Sequence, residues 1–289
     1  MKISLIICTR NRAERLRKSL ACLNEADAPD CPVEVVIVDS LSDDSTSTVI
    51  HEFSQNFKFP IKTVRTTRVG LGHARNRGIE ISDGDILSFT DDDCEVDRGY
   101  FRALHRVFAS GGISYGCGQI LIADPSLDTR LASFRFDRRA EIPAGLPVMP
   151  FGVMQGANIF FSRKVFEACG VFNENMGAGT PFPCEDLEMG WQVSKRGFVG
   201  SLIPEVIVYH HHGLKKGSPE ADAAVASYDR ARGAYISSLL SQGSMQVWLL
   251  WAESFSPGGA PINPERYAQL GRELQGAGEY FQFLARQQK

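Results

Sequence analysis

Apolar residues fall into short continuous runs in the first hundred positions of this chain and into longer, helix-like stretches toward its end. Residues 3–8 (Ile-Ser-Leu-Ile-Ile-Cys) and 33–38 (Val-Glu-Val-Val-Ile-Val) are β-rich runs of the kind that a sheet covered on both faces requires. Residues 61–65 and 86–90 predict two further strands, and polar helical stretches at 11–24, up to about 56, and 71–81 lie between them. This β-α-β-α-β-α-β rhythm predicts an α/β fold with a mostly parallel sheet flanked by helices. Ligands on such sheets bind outside the carboxyl ends of the strands. Thr9, Asp39 and Asp91 each stand at or just past such an end, so they are expected to meet in one crevice although far apart in sequence.

Beyond residue 95 the rhythm changes. Residues 113–122 and 158–162 predict strands, 163–168 a short helix, and 123–150 an irregular segment with Pro125, Pro143, Pro147 and Pro150. A helix over 185–196 carries acids in its first turn, Lys195 and Arg196 in its last, and Gly197 as a stop. After His212 the pattern is helical at 219–241, 245–255 and 264–287, with no internal repeat and no low-complexity tract.

Composition narrows the function classes. The 289 residues with 43% hydrophobic content can build one large domain, or one domain with a helical extension. A net charge of −3 supplies no basic field for nucleic acid. Seven scattered cysteines without a CxxC pair argue against a disulfide framework or structural zinc and for a reducing compartment. The apolar run at the N-terminus is short and followed at once by Arg10, Arg12 and Arg15, which predicts a buried strand rather than a leader. No segment approaches the ~20 apolar residues of a membrane span. The expected location is cytoplasmic, with peripheral contact at the inner face of the membrane as a further option.

Four constellations carry candidate chemistry. Asp91-Asp92-Asp93 closes an apolar strand; alternation sets Asp91 and Asp93 on one side, where two carboxylates can hold a hard divalent cation, with Asp92 turned away. Taken alone, the triplet is also what a solvated acidic turn looks like. Glu185, Asp186 and Glu188 open a helix, where acids gain ~0.3–1 kcal/mol each from the helix dipole, or where one can serve as a general base. His210, His211 and His212 follow an apolar strand, and His210 and His212 share a face if the strand persists through them. Val69 to Gly78 carries glycines before a helix but lacks GxGxxG spacing; Arg75 there can pair with crevice carboxylates or neutralise phosphate.

In order along residues 2–213, these motifs resemble the family 2 inverting glycosyltransferases of the GT-A fold. The resemblance rests on Ser4 to Arg12, Val36 to Asp39 with Asp43 to Thr46, Gly72 to Gly78, Asp91 to Asp93, Gly156-Ala157-Asn158, Glu185-Asp186 and Tyr209-His210. Cys8 departs from the proline that members often carry there. The resemblance implies a GT-A domain at 1–215 (nucleotide-binding half 1–95, acceptor half 96–215) and a helical extension at 216–289. Thr9, Asn11, Arg12 and Asp39 match the nucleotide pocket, Arg75 and Asn76 the diphosphate side, and Asp91 and Asp92 the donor contacts. Asp93 and His210 match ligands of Mn²⁺ or Mg²⁺, with His212 as an alternative. Asp186 matches the base, beside Glu185. The implied reaction moves a sugar, from a UDP-sugar in the commoner case, to a hydroxyl of a glycan, lipid-linked sugar or small molecule.

Rival readings are a sugar nucleotidyltransferase, a glycoside hydrolase and a catalytically inactive carbohydrate-binding protein. The first needs a glycine-rich loop directly after the first strand, where Thr9-Arg10-Asn11-Arg12 contains no glycine. The second needs two carboxylates but no nucleotide pocket or metal. Loss of Asp93 or Asp186 would favour the third, and both are present. Val247, Trp248, Leu250 and Trp251, and Tyr280, Phe281, Phe283 and Leu284 near Arg286 and Lys289, predict apolar surfaces for self-association or membrane contact, or else packing on the catalytic domain.

Overall fold

The computed structural model describes residues 1–131, 133–256 and 263–287. Its first part follows the predicted rhythm: β1 (Ile3–Thr9), α1 (Ala13–Asn24), β2 (Val33–Asp39), α2 (Thr46–Gln55), β3 (Ile61–Arg65), α3 (Leu71–Ile81) and β4 (Ile86–Asp91). These four strands lie in the order β3-β2-β1-β4, all parallel. Alternation along them feeds two apolar layers. Ile3, Leu5, Ile7, Val35 and Ile37 pack with Leu16 and Leu20 of α1 and Val49 of α2 on one side. Ile6, Val36, Val38, Leu87 and Phe89 pack with Ala74 and Ile79 of α3 on the other. Each such aliphatic side chain stabilises the fold by ~1.5–3 kcal/mol when fully buried, so the register is strongly held.

The second part comprises β5 (Cys94–Val96), α4 (Tyr100–Ala109), β6 (Tyr115–Ile122), β7 (Ala140–Ile142), a short 3-10 turn (Gly156–Asn158), β8 (Ile159–Ser162), α5 (Arg163–Cys169), α6 (Glu185–Lys195) and β9 (Gly200–His210). The sheet continues β4-β8-β6-β9-β5, with β7 on β9, making nine strands among the described residues. β8 runs antiparallel to β4 and β6, β9 parallel to β6 and antiparallel to β5 and β7. The sheet is therefore parallel in its first half and mixed in its second. β5 and β7 escape the sequence reading because three-residue strands are too short for alternation to register. β7 falls inside the segment expected to be irregular.

The carboxyl-terminal helices are α7 (Pro219–Ser241), α8 (Gln246–Phe255) and α9 (Pro264–Gln287). Ser218 caps α7 by accepting from the Ala221 amide, with Pro219 at the first helical position. Ala231, Ala234, Tyr235, Ile236 and Leu239 of α7 belong to the same apolar layer as Trp191 of α6 and Phe89 of β4. α9 crosses α7 backbone to backbone: a Cβ on Gly233 would collide with the Glu273 carbonyl, and one on Gly276 with that of Arg230. Each of the two stripes is divided between packing on the catalytic domain and exposure. Val247, Trp251 and Tyr280 are buried, and Phe283 and Leu284 pack against the core; Trp248, Leu250 and Phe281 remain exposed. The tertiary contact with α7 decides which residues of each stripe are covered. Lys289 lies outside the described residues. No described helix is long and apolar enough to cross a membrane.

Candidate active site

Strand register assembles the first wall of the crevice. Thr9 pairs with Asp39 and Cys8 with Asp91, so the ends of β2, β1 and β4 present these residues side by side. Asp39 is buried; its Oδ1 accepts from the Ser42 amide at 2.8 Å, and Arg65 approaches its Oδ2 at 3.8 Å. Asn11, at φ 54°, ties the loops after β1 and β2 together: its Oδ1 accepts from the Asp43 amide at 2.8 Å and its own amide donates to Ser42 Oγ at 3.0 Å. Asn is among the few residues that adopt this left-handed conformation readily.

The acidic triplet divides its work. Asp92 lies just past the end of β4 and shares Arg12 with Asp93. It accepts from Thr9 Oγ1 at 2.7 Å and from Arg12 Nη1 at 3.0 Å, and its burial pushes its carboxyl up to about 6 against the opposing pull of Arg12. Asp93 takes Arg15 at 2.8 Å and Arg12 at 3.2 Å on Oδ2, and the His210 Nε2 at 3.1 Å on Oδ1. Its burial would raise its carboxyl, but the hydrogen bond and charge of His210 and the two guanidinium groups outweigh this and hold it well below the usual range. His210 reaches Asp93 because β9 pairs with β5, Cys94 lying opposite His210. Arg15, three residues after Arg12, has no local signal that marks it as a site residue; only the folding of α1 against β5 brings it here.

Asp91, Asp93, Cys94 and His210 offer ligand atoms that all lie within 4.8 Å of one another. Burial lifts the Cys94 thiol far above its ordinary value, so it stays protonated and is a poor partner for a hard cation. The two carboxylates and the imidazole remain, a donor set that fits Mn²⁺ or Mg²⁺. The triple histidine resolves by register. His210 ends β9 facing Asp93, His211 turns out to Glu95 at 3.1 Å, and His212 packs edge-on to His210 with ring centroids 5.3 Å apart. His212 Nδ1 accepts from the Leu214 amide, and its Nε2 is buried without a hydrogen-bond partner.

Arg75 links this wall to the next. It is almost fully buried, its Nη1 bonds Glu185 Oε1 at 2.5 Å, its Nη2 donates to the Gly156 carbonyl at 3.2 Å, and Asp91 lies 3.8 Å away. Phe89 and Phe172 present their faces to its guanidinium at 5.9 and 5.4 Å. Gly156 has no room for a side chain, since a Cβ would run into the same guanidinium. Asn76, matched to the diphosphate side by resemblance, does something else. Both of its amide donors are engaged, by the Phe172 carbonyl at 2.9 Å and Glu174 at 3.1 Å, and its Oδ1 accepts from the Phe172 amide. It pins the loop after α5 to α3; its place on that face of α3 cannot be read from spacing.

The three acids of α6 diverge because consecutive helix positions point in different directions. Glu185 pairs with Arg75, and burial pushes its carboxyl up to about 7 despite that partner. Asp186 accepts from the Gly156 amide at 2.7 Å on Oδ2 and from the Leu187 amide at 2.8 Å on Oδ1. Burial raises its carboxyl, with Arg75 and the two amides opposing. Glu188 points into the core, bonded to Gln192 at 2.6 Å and to Gln242 of α7 at 3.1 Å. Asp91, Arg75, Glu185 and Asp186 line one cavity of about 360 Å³, whose remaining wall includes Phe151, Gln155, Arg130 and, from α7, Tyr228 and Arg232. Local sequence gives no signal for the last two.

The model of the family described as "Glycosyl transferase family 2" matches residues 4–170. Glycosyltransferase AglE of Haloferax volcanii is 27% identical over 248 residues, which make up 86% of this chain and 74% of that protein. Residues 1–349 of Staphylococcus aureus TarS, solved in complex with UDP-GlcNAc, align at TM-score 0.61 and 16% identity over 98% of this chain and 81% of that one. Mannosyltransferase PcManGT from Pyrobaculum calidifontis, solved with GDP-Man and Mn²⁺, aligns at TM-score 0.58 and 18% identity over 98% of this chain and 74% of that one. At such identities the two solved structures establish a common fold.

Proposed function

Since this chain belongs to glycosyl transferase family 2, we propose that it moves a sugar from a UDP-sugar to a hydroxyl of a glycan, lipid-linked sugar or small molecule, with inversion at the anomeric carbon. The observation that carries this reading is the buried Arg75, which spans from Asp91 beside Asp93 and His210 to Glu185 beside Asp186 across a single cavity. One end of that arrangement suits a charged diphosphate and the other a proton transfer. The relatives solved with UDP-GlcNAc, or with GDP-Man and Mn²⁺, support a nucleotide-sugar donor.

In this proposal Thr9, Asn11, Arg12 and Asp39 bound the nucleoside end, and Asp91 and Asp92 order the donor. Asp92 acts through Thr9 and Arg12, to which it is bonded. Asp93 and His210 hold a divalent cation, which when bound offsets the charge of the diphosphate. Arg75 pairs closely with Glu185 and lies farther from Asp91, so that Asp186, held by two amides, is the carboxylate left to act as a base. An acceptor hydroxyl is a weak nucleophile at neutral pH. Asp186 takes its proton as the hydroxyl oxygen bonds to the anomeric carbon, and the nucleoside diphosphate departs from the opposite face. Two amide donors fix the Asp186 carboxylate in orientation, and its raised proton affinity makes it a stronger base than an exposed aspartate.

A panel of UDP- and GDP-sugars, scored for nucleotide release with Mn²⁺ or with EDTA, tests the reading. UDP-sugars should turn over only with metal, and UDP plus Mn²⁺ should raise the unfolding temperature more than either alone. Tighter binding of GDP than UDP would overturn the donor assignment, and full turnover in EDTA the metal assignment.

A further inference from the structure

The cavity beside Asp186 is closed by a helix outside the matched family region. α7 turns Tyr228, Ala231 and Arg232 toward Asp91, Glu185 and Asp186, with Phe151 on the adjoining wall. The Tyr228 ring is 41% exposed although the helix packs between α6 and α9, so an aromatic side chain stands open to the cavity rather than in the core. Phe151, by contrast, is held fast: Arg232 lies over it at 5.3 Å and Tyr235 meets it edge-on at 5.8 Å. Ala231, three positions on from Tyr228, leaves space beside it.

The charges around this space select the kind of molecule that fits. Both arginines on the rim are already paired, Arg232 with an acid that it shares with Arg272. Arg130 is bonded to Asp128 at 2.6 Å and to Asp222 at 2.7 Å, and Arg232 to Asp229 at 3.1 Å. Within the cavity one guanidinium, that of Arg75, faces three acids, Asp91, Glu185 and Asp186. At the Tyr228 end, an acceptor with its own negative charge would lie against Glu185 and Asp186, which have the one Arg75 guanidinium between them. A neutral polyhydroxylated ring meets what it needs: an aromatic face for its C–H surface, and carboxylate and amide groups (Asp186, Gln155) for its hydroxyls.

We propose that Tyr228 of α7 is the platform for a neutral pyranose acceptor, setting acceptor specificity from outside the nucleotide-binding units. This rests on the transferase reading above. Stacking on Tyr228 holds the ring at the far side of the cavity and turns one of its hydroxyls toward Asp186. The carboxyl-terminal helices are then part of the catalytic unit.

Binding of methyl β-D-glucopyranoside, methyl β-D-galactopyranoside and methyl α-D-mannopyranoside, with their 6-phosphates in parallel, tests this by saturation-transfer NMR on the full chain, with and without UDP and Mn²⁺. At least one neutral glycoside should bind more tightly than its phosphate. Tyr228→Ala and Tyr228→Leu should weaken it about three- to tenfold, the worth of one aromatic contact, while Tyr228→Phe retains it. Tyr267→Ala, on an exposed aromatic of α9 remote from the cavity lining, serves as the control and should bind as the parent does. In transfer assays the loss should appear in the acceptor KM more than in kcat. Unchanged binding in Tyr228→Ala, tighter binding of a phosphate, or no glycoside bound by a protein that does bind UDP would each overturn the proposal. Failure to bind UDP itself would instead count against the transferase reading.

Discussion

The two walls of the crevice are built by different means. On one wall, Thr9, Asp39 and Asp91 sit on three adjacent parallel strands, and hydrogen-bond register alone sets them side by side. On the other, Gly156 comes from a 3-10 turn, Asp186 from the start of α6 and Tyr228 from α7, and only packing brings them together. The charge balance differs too. Half-exposed Arg12 and Arg15 lie on Asp92 and Asp93, a loose arrangement in which cations can be exchanged. Across the crevice the buried Arg75 faces Glu185 and Asp186, whose proton affinity burial has raised. In the proposed reaction the first wall receives the charge of the donor and the second holds the base.

The sharpest way to break this contrast is to remove a charge from each wall. Asp93→Ala should abolish metal-dependent turnover, a loss of several kcal/mol or on the order of 10⁴-fold. Mn²⁺ titration followed by electron paramagnetic resonance should show weakened metal binding; normal activity of the variant in EDTA would dismiss the site. Asp186→Asn should cut turnover by ~10²–10⁴ while leaving UDP affinity near the parent's, because the two walls act separately. Parent-like transfer by this variant, with loss instead in Glu185→Gln, would move the base to the neighbouring acid.

Smaller effects sharpen the picture. Gly156→Ala forces a methyl against the Arg75 guanidinium and should destabilise the fold by ~1–3 kcal/mol in urea unfolding, with turnover falling alongside. An unchanged unfolding midpoint would show that Arg75 can move aside. His210→Ala should lower turnover by about tenfold, less than Asp93→Ala, since a neutral imidazole contributes less to holding a hard cation. The pH profile gives the finest test. A base works ionised, and burial raises the proton affinity of Asp186, so turnover should fall on acidification at a pH above the ~3.9 of an ordinary aspartate. A midpoint at or below that value would mean that Arg75 and the two amides outweigh burial.

What the amino-acid sequence by itself determined is the half of the molecule built from consecutive strand–helix units. Runs such as residues 33–38 are long enough to show their burial, Asp39 and Asp91 announce strand ends, and parallel pairing then leaves little freedom in where those ends lie. Ordered motifs from Thr9 to His210 carried the family. Tertiary structure decided the rest. Asn76 and Arg75 are neighbours on one helix, yet one pins a loop and the other bridges the crevice, according to what packs on each face. Arg15 meets Asp93, and Tyr228 meets Asp186's cavity, over separations that no local pattern records. The stripes of α8 and α9 were visible as amphipathic, but it is Trp251 rather than Trp248 that is buried, where it donates to Glu273 of α9. Periodicity reports that a residue will be covered; the identity of what covers it is a property of the packed chain.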